Sequence, residues 1–247
     1  MDTAFVIGNG ESRNIFPIET LKGKGTIYGC NAIYRDHPKL CDHIVAVNPP
    51  MHEELAKWHN NGKESPNIHG IDDISKWNYL IDGDGENYMP AALKVYRIWR
   101  GGDVKKMGQI KTLDFSLARG SGCSAVLMAA ESGIKNVVIM AFDIMGAQQW
   151  EMETPSRIQN NIYKNTLNYP DRASMQAYLK YEWMFQLRQT FRKFPGTNFY
   201  FINRKEYLQG NPFLRWYFDQ PNIKSGIYAD LQRWISGGRD DIKWKTL

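Results

Sequence analysis

Five short apolar runs, each followed at once by an Asn or Asp, limit more than any other feature what this chain can fold into. Residues 3–7 (TAFVI) lead into Gly8-Asn9-Gly10, residues 26–29 into Cys30-Asn31, and residues 43–47 into Asn48-Pro49-Pro50. Further on, residues 136–141 lead into Phe142-Asp143 and residues 198–202 into Asn203. The runs are continuously apolar rather than alternating, which is the pattern of strands covered on both faces. Helical stretches lie between them. Residues 51–59 follow a Pro pair, residues 121–132 form a small-residue helix stopped by Gly133, and a long helix covers about 174–194. The last carries apolar side chains at 175, 179, 183, 187, 191 and 194 and ends at Pro195-Gly196. Strands alternating with helices predict an α/β, Rossmann-like domain with a mostly parallel sheet flanked by helices.

A chain of 247 residues suits a single domain. Residues 60–117 lack periodicity and read as an insert, lid or substrate-side subdomain, and residues 213–247 as a basic, aromatic C-terminal tail. With 43% hydrophobic and 23% charged residues, a disordered chain is excluded. No apolar run approaches the about 18–20 residues of a membrane span, and the first residues enter a strand-like run without a signal-peptide pattern. Three cysteines fit a reducing cytoplasm better than a disulfide framework. The net charge of +5 permits an anionic partner without requiring one.

In an open parallel sheet the carboxyl ends of the strands form one rim, where ligands bind. Asn9, Asn31, Asn48, Asp143 and Asn203 fall on that rim, and neutral amides that donate and accept suit sugar hydroxyls and base edges. Asn and Asp also favour turns for local reasons. Gly8-Asn9-Gly10 resembles half of a dinucleotide fingerprint, but Arg13 stands where the third Gly would be. The flanking glycines imply close backbone approach to something bulky, and Ser12 is an N-cap or a phosphate contact. Gly120-Ser121-Gly122 opens a helix whose N–H groups make an anion site, or else a tight turn with close packing. Asp82-Gly83-Asp84 has the form of a metal–diphosphate D-x-D and equally that of a common turn. The His and Cys spacings match no zinc site.

The segments VIGNGES (6–12), YGCNAIY (28–34), AVNPP (46–50) and RGSGCSAVLMAAESGIKNVVIMAFD (119–143), in that order, resemble bacterial sialyltransferases of the Campylobacter type. They also resemble a group of T-even-like phage proteins. The resemblance implies a sialyltransferase-like GT-A variant of the Rossmann fold, with a lid and a metal-independent nucleotide-sugar site requiring no cofactor. It assigns Asn9 and Asn31 to the phosphate and ribose, Asn48 to the ribose or cytosine side, and Ser121 and Gly122 to the nucleotide. Tyr163 falls where the family places tyrosines that assist the departing phosphate. The family's general base is a late His, whereas no His follows His69 here. Asp171 is the substitute, or an N-cap of the long helix, and Asp143 is the reserve. The expected activity is therefore a glycosyltransferase using a CMP- or UDP-linked sugar, located in the cytoplasm (the host's, for a phage protein). The phage likeness and the basic aromatic tail suggest a hydroxymethylated base in DNA as acceptor, a DNA modification. The alternatives are a glycan or small-alcohol acceptor and a nucleotide-binding protein without transfer activity.

Overall fold

The computed structural model describes residues 2–46, 51, 54–55, 94–97, 120–144, 160–169, 177–209, 214, 218–238, 242 and 244–245. Seven strands form one sheet: β1 (Thr3–Ile7), β2 (Thr26–Cys30), β3 (His43–Ala46), β4 (Lys94–Arg97), β5 (Asn136–Met140), β6 (Asn198–Asn203) and β7 (Ile223–Ile227). Their order across the sheet is β4-β3-β2-β1-β5-β6-β7, and every neighbouring pair is parallel. Phe5 in β1 stands opposite Ile27 on one side and Val138 on the other. The helices are α1 (Ser121–Glu131), α2 (Ala177–Lys193), α3 (Lys205–Gln209) and α4 (Tyr228–Ile235).

Successive strand residues serve opposite faces, as the pleat requires. Ala4, Val6, Val137, Ile139, Phe199 and Phe201 join one core with α1 and α2. Phe5, Ile7, Val138, Met140, Tyr200 and Ile202 join a second core with α4 and the 3₁₀ segments after β1 and β2. The expected α/β, Rossmann-like sheet covered on both faces is what the chain forms. Helix α1 is buried at nine of its eleven positions, because its run of small residues lets it settle between the sheet and α2.

Two regions differ from the sequence reading. The stretch read as an insert contributes β4, which pairs with β3; the rest of residues 60–117, including Asp82 and Asp84, lies outside the described residues. The stretch read as the domain's basic aromatic tail supplies β7 and α4. Trp234 is buried, and Trp234 and Trp244 both pack against the Tyr200 ring, each with centroids 4.8 Å away. Lys245 pairs through its backbone with Ser225 on β7. A Cβ on Gly226 would fall 2.4 Å from the Trp244 ring, so the residue that weakens β7 as a strand signal makes room for the indole. Arg233 pairs with Asp230 on the same helix. No helix among the described residues is long and apolar enough to cross a membrane.

Replacing Trp234 by Ala should therefore destabilise the whole domain by about 3–5 kcal/mol, the cost of emptying a large aromatic site. Urea denaturation followed by far-UV circular dichroism measures it; a loss below about 1 kcal/mol, the size of a surface change, would mean that the C-terminal region is peripheral.

Candidate functional site

The chain leaves β1 towards β2 on one side, while β5 lies on the other, so the order reverses between β1 and β5. Crevices at the carboxyl end of such a reversal are where open α/β sheets hold ligands. The exits of these two strands run side by side. Gly8 N–H donates to Met140 O (2.9 Å) and Gly10 N–H to Ala141 O (2.9 Å). A Cβ on Gly8 would lie 2.4 Å from Ala141 O, and one on Gly10 would lie 2.5 Å from the Asp143 carboxyl carbon. The bulky neighbour implied by these glycines is thus the β5 exit. Ala141 sits at φ +58°, a backbone conformation costly for a residue with a Cβ.

Asp143 joins the pieces. Its Oδ1 accepts from Ser12 Oγ (2.5 Å) and Asn203 Nδ2 (3.0 Å). Its Oδ2 accepts from Ser12 N–H (2.8 Å) and Asn160 Nδ2 (2.6 Å). Because the Ser12 hydroxyl proton goes to Asp143, the Tyr228 hydroxyl 3.0 Å away is the donor in its contact with Ser12 Oγ. Tyr228 in turn accepts from Ala141 N–H at 3.2 Å. Burial pushes the Tyr228 phenol up to about 12, so it remains a proton donor. Ser12 is therefore not an N-cap and not open to a phosphate: it is buried and tied to Asp143. Asp143 has all four lone-pair positions filled from within the protein, which suits a group that positions others rather than one that takes a proton from a substrate.

Helix α1 points its N-terminus at the same crevice. Its N-cap, Gly120, has no side chain to bond the first-turn N–H groups, which an α-helix leaves without carbonyl partners of its own. Gly120 N–H donates to Gln186 Oε1 (3.2 Å), and a Cβ at Gly122 would lie 2.8 Å from the Phe142 ring. Asn31, at φ +50°, accepts through Oδ1 from Ser121 Oγ (2.8 Å), which binds the β2 exit to the start of α1. Gly8, Asn9, Gly10, Asn31, Gly120, Ser121, Gly122 and Asp143 all line one pocket of about 740 Å³, counted out to its open mouth.

Sequence reasoning missed Asn160, Asn161 and Trp183, which line the same pocket, and Cys30 and Cys123. The Asn160-Asn161 doublet was the one available signal, and it stands in a stretch without periodicity. Burial pushes the Cys30 thiol up to about 12, with the neighbouring Cys123 adding to the rise, and burial raises Cys123 as well. Both are neutral thiols and poor nucleophiles at neutral pH. Among the described residues the buried amide oxygens of Asn9 and Asn160 have no hydrogen-bond partner, although Asn9 Nδ2 donates to Tyr169 OH (3.2 Å).

Tyr163 is not among the pocket-lining residues. Its hydroxyl accepts from Arg13 (3.0 Å), and its ring lies against Tyr169 and beneath the guanidinium groups of Arg13 and Arg35. Burial raises its pKa, although Arg13 opposes the rise. Asn48 and Asp171 lie outside the described residues. No group of three or more His, Cys, Asp or Glu among the described residues is arranged to hold a metal ion. No family model, no curated protein and no solved structure matches this chain.

The four donors converging on Asp143 make Asp143→Ala costly, by about 2–5 kcal/mol, because buried donors lose their acceptor together. Equilibrium urea unfolding measures the loss. A change within about 0.5 kcal/mol, the range of a surface substitution, would show that the network contributes little.

Proposed function

We propose that this chain is a glycosyltransferase that binds a CMP- or UDP-linked sugar in the pocket between β1 and β5 and transfers the sugar to an acceptor hydroxyl. The observation that carries this reading is the meeting of Asn9, Asn31 and the N-terminus of α1, whose Gly120 cap makes no side-chain hydrogen bond, in one crevice at the sheet's reversal point. The helix N-terminus suits the donor phosphate and the negative charge that grows on it as the glycosidic bond breaks. Asn31 has its Oδ1 engaged by Ser121, so its Nδ2 is the end available to a ligand. In the transfer the acceptor oxygen bonds to the anomeric carbon, the bond from that carbon to the phosphate oxygen breaks, and the acceptor proton passes to a base. We assign the base to Asp171, a carboxylate being ionised at neutral pH with an ordinary pKa of about 4. A metal at Asp82 and Asp84 forms no part of the reading.

The acceptor is the open part. The net charge of +5 favours a polyanion such as DNA carrying a hydroxymethylated base. Base stacking by Trp234 and Trp244 does not support it, since both rings pack on Tyr200. A glycan or small alcohol therefore stands beside DNA as acceptor. One observation favours a second reading, nucleotide binding without transfer: Asp143, the one carboxylate among the described pocket residues, has its acceptor positions filled internally.

A nucleotide that binds should stabilise the fold by about 2.7 kcal/mol at a hundredfold excess over Kd, read as a rise of several degrees in Tm with CMP, UMP, UDP or their sugars. Asn31→Ala should remove most of that rise. If no nucleotide shifts Tm at millimolar concentration, the reading fails. Incubation with nucleotide sugars and plain or hydroxymethylated DNA, read by nucleoside mass spectrometry, tests transfer. Asp171→Asn should keep the Tm rise and lose transfer; binding with no transfer to any acceptor would select the second reading.

A further inference from the structure

Two aromatic rings, Phe142 and Trp183, line the pocket among the described residues. Phe142 is buried, and glycine backbone closes on two sides of its ring. A Cβ on Gly8 would lie 3.0 Å from its Cδ2, and one on Gly122 would lie 2.8 Å from its Cε1. Trp183 on α2 is different: it is half-buried, resting on the core that α1 and α2 share with the sheet, and it borders the pocket. A Cβ on Gly120 would meet its Cδ1 and Nε1, each at 3.1 Å, and the next nearest atom is Cys123 Sγ at 3.6 Å. Only the pyrrole edge of the indole therefore lies against the cap of α1. The backbone beneath the ring is tied to the same place. Cys123 Sγ donates to the Trp183 carbonyl (3.4 Å), and Gln186, three residues further along α2, accepts from Gly120 N–H. Among the described residues the indole has no aromatic or cationic partner and its N–H has no acceptor, whereas Trp234 and Trp244 pack on Tyr200. Trp183 is thus a fixed indole with open surface beside the start of α1.

We propose that Trp183 is the residue on which the base of a bound nucleotide stacks. The proposal rests on the nucleotide-sugar reading and names the contact for the part of the ligand farthest from the transferred sugar. A nucleotide with its phosphate at the start of α1 carries its base one ribose away, and Trp183 flanks that start. Stacking uses the π-face that every base has, so the ring selects for a base without telling cytosine from uracil. Trp183 is then a source of affinity for the nucleotide half of the donor and takes no part in breaking the glycosidic bond.

Calorimetric titration of the full chain with CMP, UMP and ribose 5-phosphate, which lacks the base, isolates the stacking contact. Wild-type protein should bind CMP or UMP about 5- to 100-fold more tightly than ribose 5-phosphate. In Trp183→Ala that preference should fall below about 2-fold, the scatter expected with stacking gone, while ribose 5-phosphate binds as before. Trp183→Leu keeps apolar bulk against the core and should show the same loss, which covers a Trp183→Ala protein that does not fold. Trp183→Phe, which keeps an aromatic face, should retain part of the preference. Three results would overturn the proposal: no preference in the wild type, a full preference in Trp183→Ala or Trp183→Leu, or Leu and Phe variants that behave alike. An equal loss for ribose 5-phosphate would also overturn it, since the ring would then act only by holding Gly120. A Tm rise with any nucleotide leaves the nucleotide reading standing in each of these cases, and its absence with all of them removes both.

Discussion

The buried carboxylate of Asp143 is the point on which the rim of the sheet depends. It stands at the exit of β5 and takes hydrogen bonds from the exit of β1 (Ser12), the end of β6 (Asn203) and the segment that returns over the rim (Asn160). A buried anion is tolerable only when paired or fully hydrogen-bonded, and here hydrogen bonds alone supply the compensation. Ala141 N–H, the Tyr228 hydroxyl and the Ser12 hydroxyl form a chain that ends on it, each member polarising the next. The left-handed Ala141 is held between that chain and its own carbonyl's bond to Gly10. The strain is local, and its surroundings over-determine it.

This hub explains why the first glycines are where they are. Gly8 and Gly10 permit the β1 exit to lie against Ala141 and Asp143, and Gly122 lets α1 approach Phe142. Their lack of side chains first serves protein packing, and the same closeness brings the start of α1 up to the rim. A motif of the G-x-G kind is thus informative about position in the fold before it says anything about a ligand.

Much of the architecture was legible because it rests on local patterns. Residues 3–7 match β1 to the residue, and β2, β5 and β6 fall within one residue of the apolar runs, since strands covered on both faces leave continuous apolarity. The rim candidates Asn9, Asn31 and Gly120–Gly122 meet in one pocket for the same reason: parallel strands all end on one side. What the sequence hid depends on distant partners. IKSGI has no strand-like run; β7 exists because β6 offers it an edge and Trp244 covers Gly226. Asp143 and Ser12 carry no mark that they bond to one another across 131 positions, and Tyr163 carries none that its hydroxyl belongs to Arg13.

The arginines next to the pocket are committed to partners within the protein. Arg13 pairs with Asp36, and Arg35 with Glu54, whose carboxyl is held low by Arg35, Tyr34 and Asn168 in spite of the opposing effect of burial. Both guanidinium groups also lie over Tyr163, and Arg35 bonds the Leu167 carbonyl and the Thr166 hydroxyl. These cations hold the 160–169 segment against the 3₁₀ turns after β1 and β2, and they are paired with Asp36, just after the turn that follows β2, and with Glu54, beyond β3. None of the described pocket-lining residues is Lys, Arg or His. An anion in the crevice would then be met by backbone N–H dipoles and neutral amides, which act over the length of a helix turn and fall off quickly beyond it. On the proposed reading, such a crevice would favour a phosphate placed directly at the start of α1 over a diffuse polyanion.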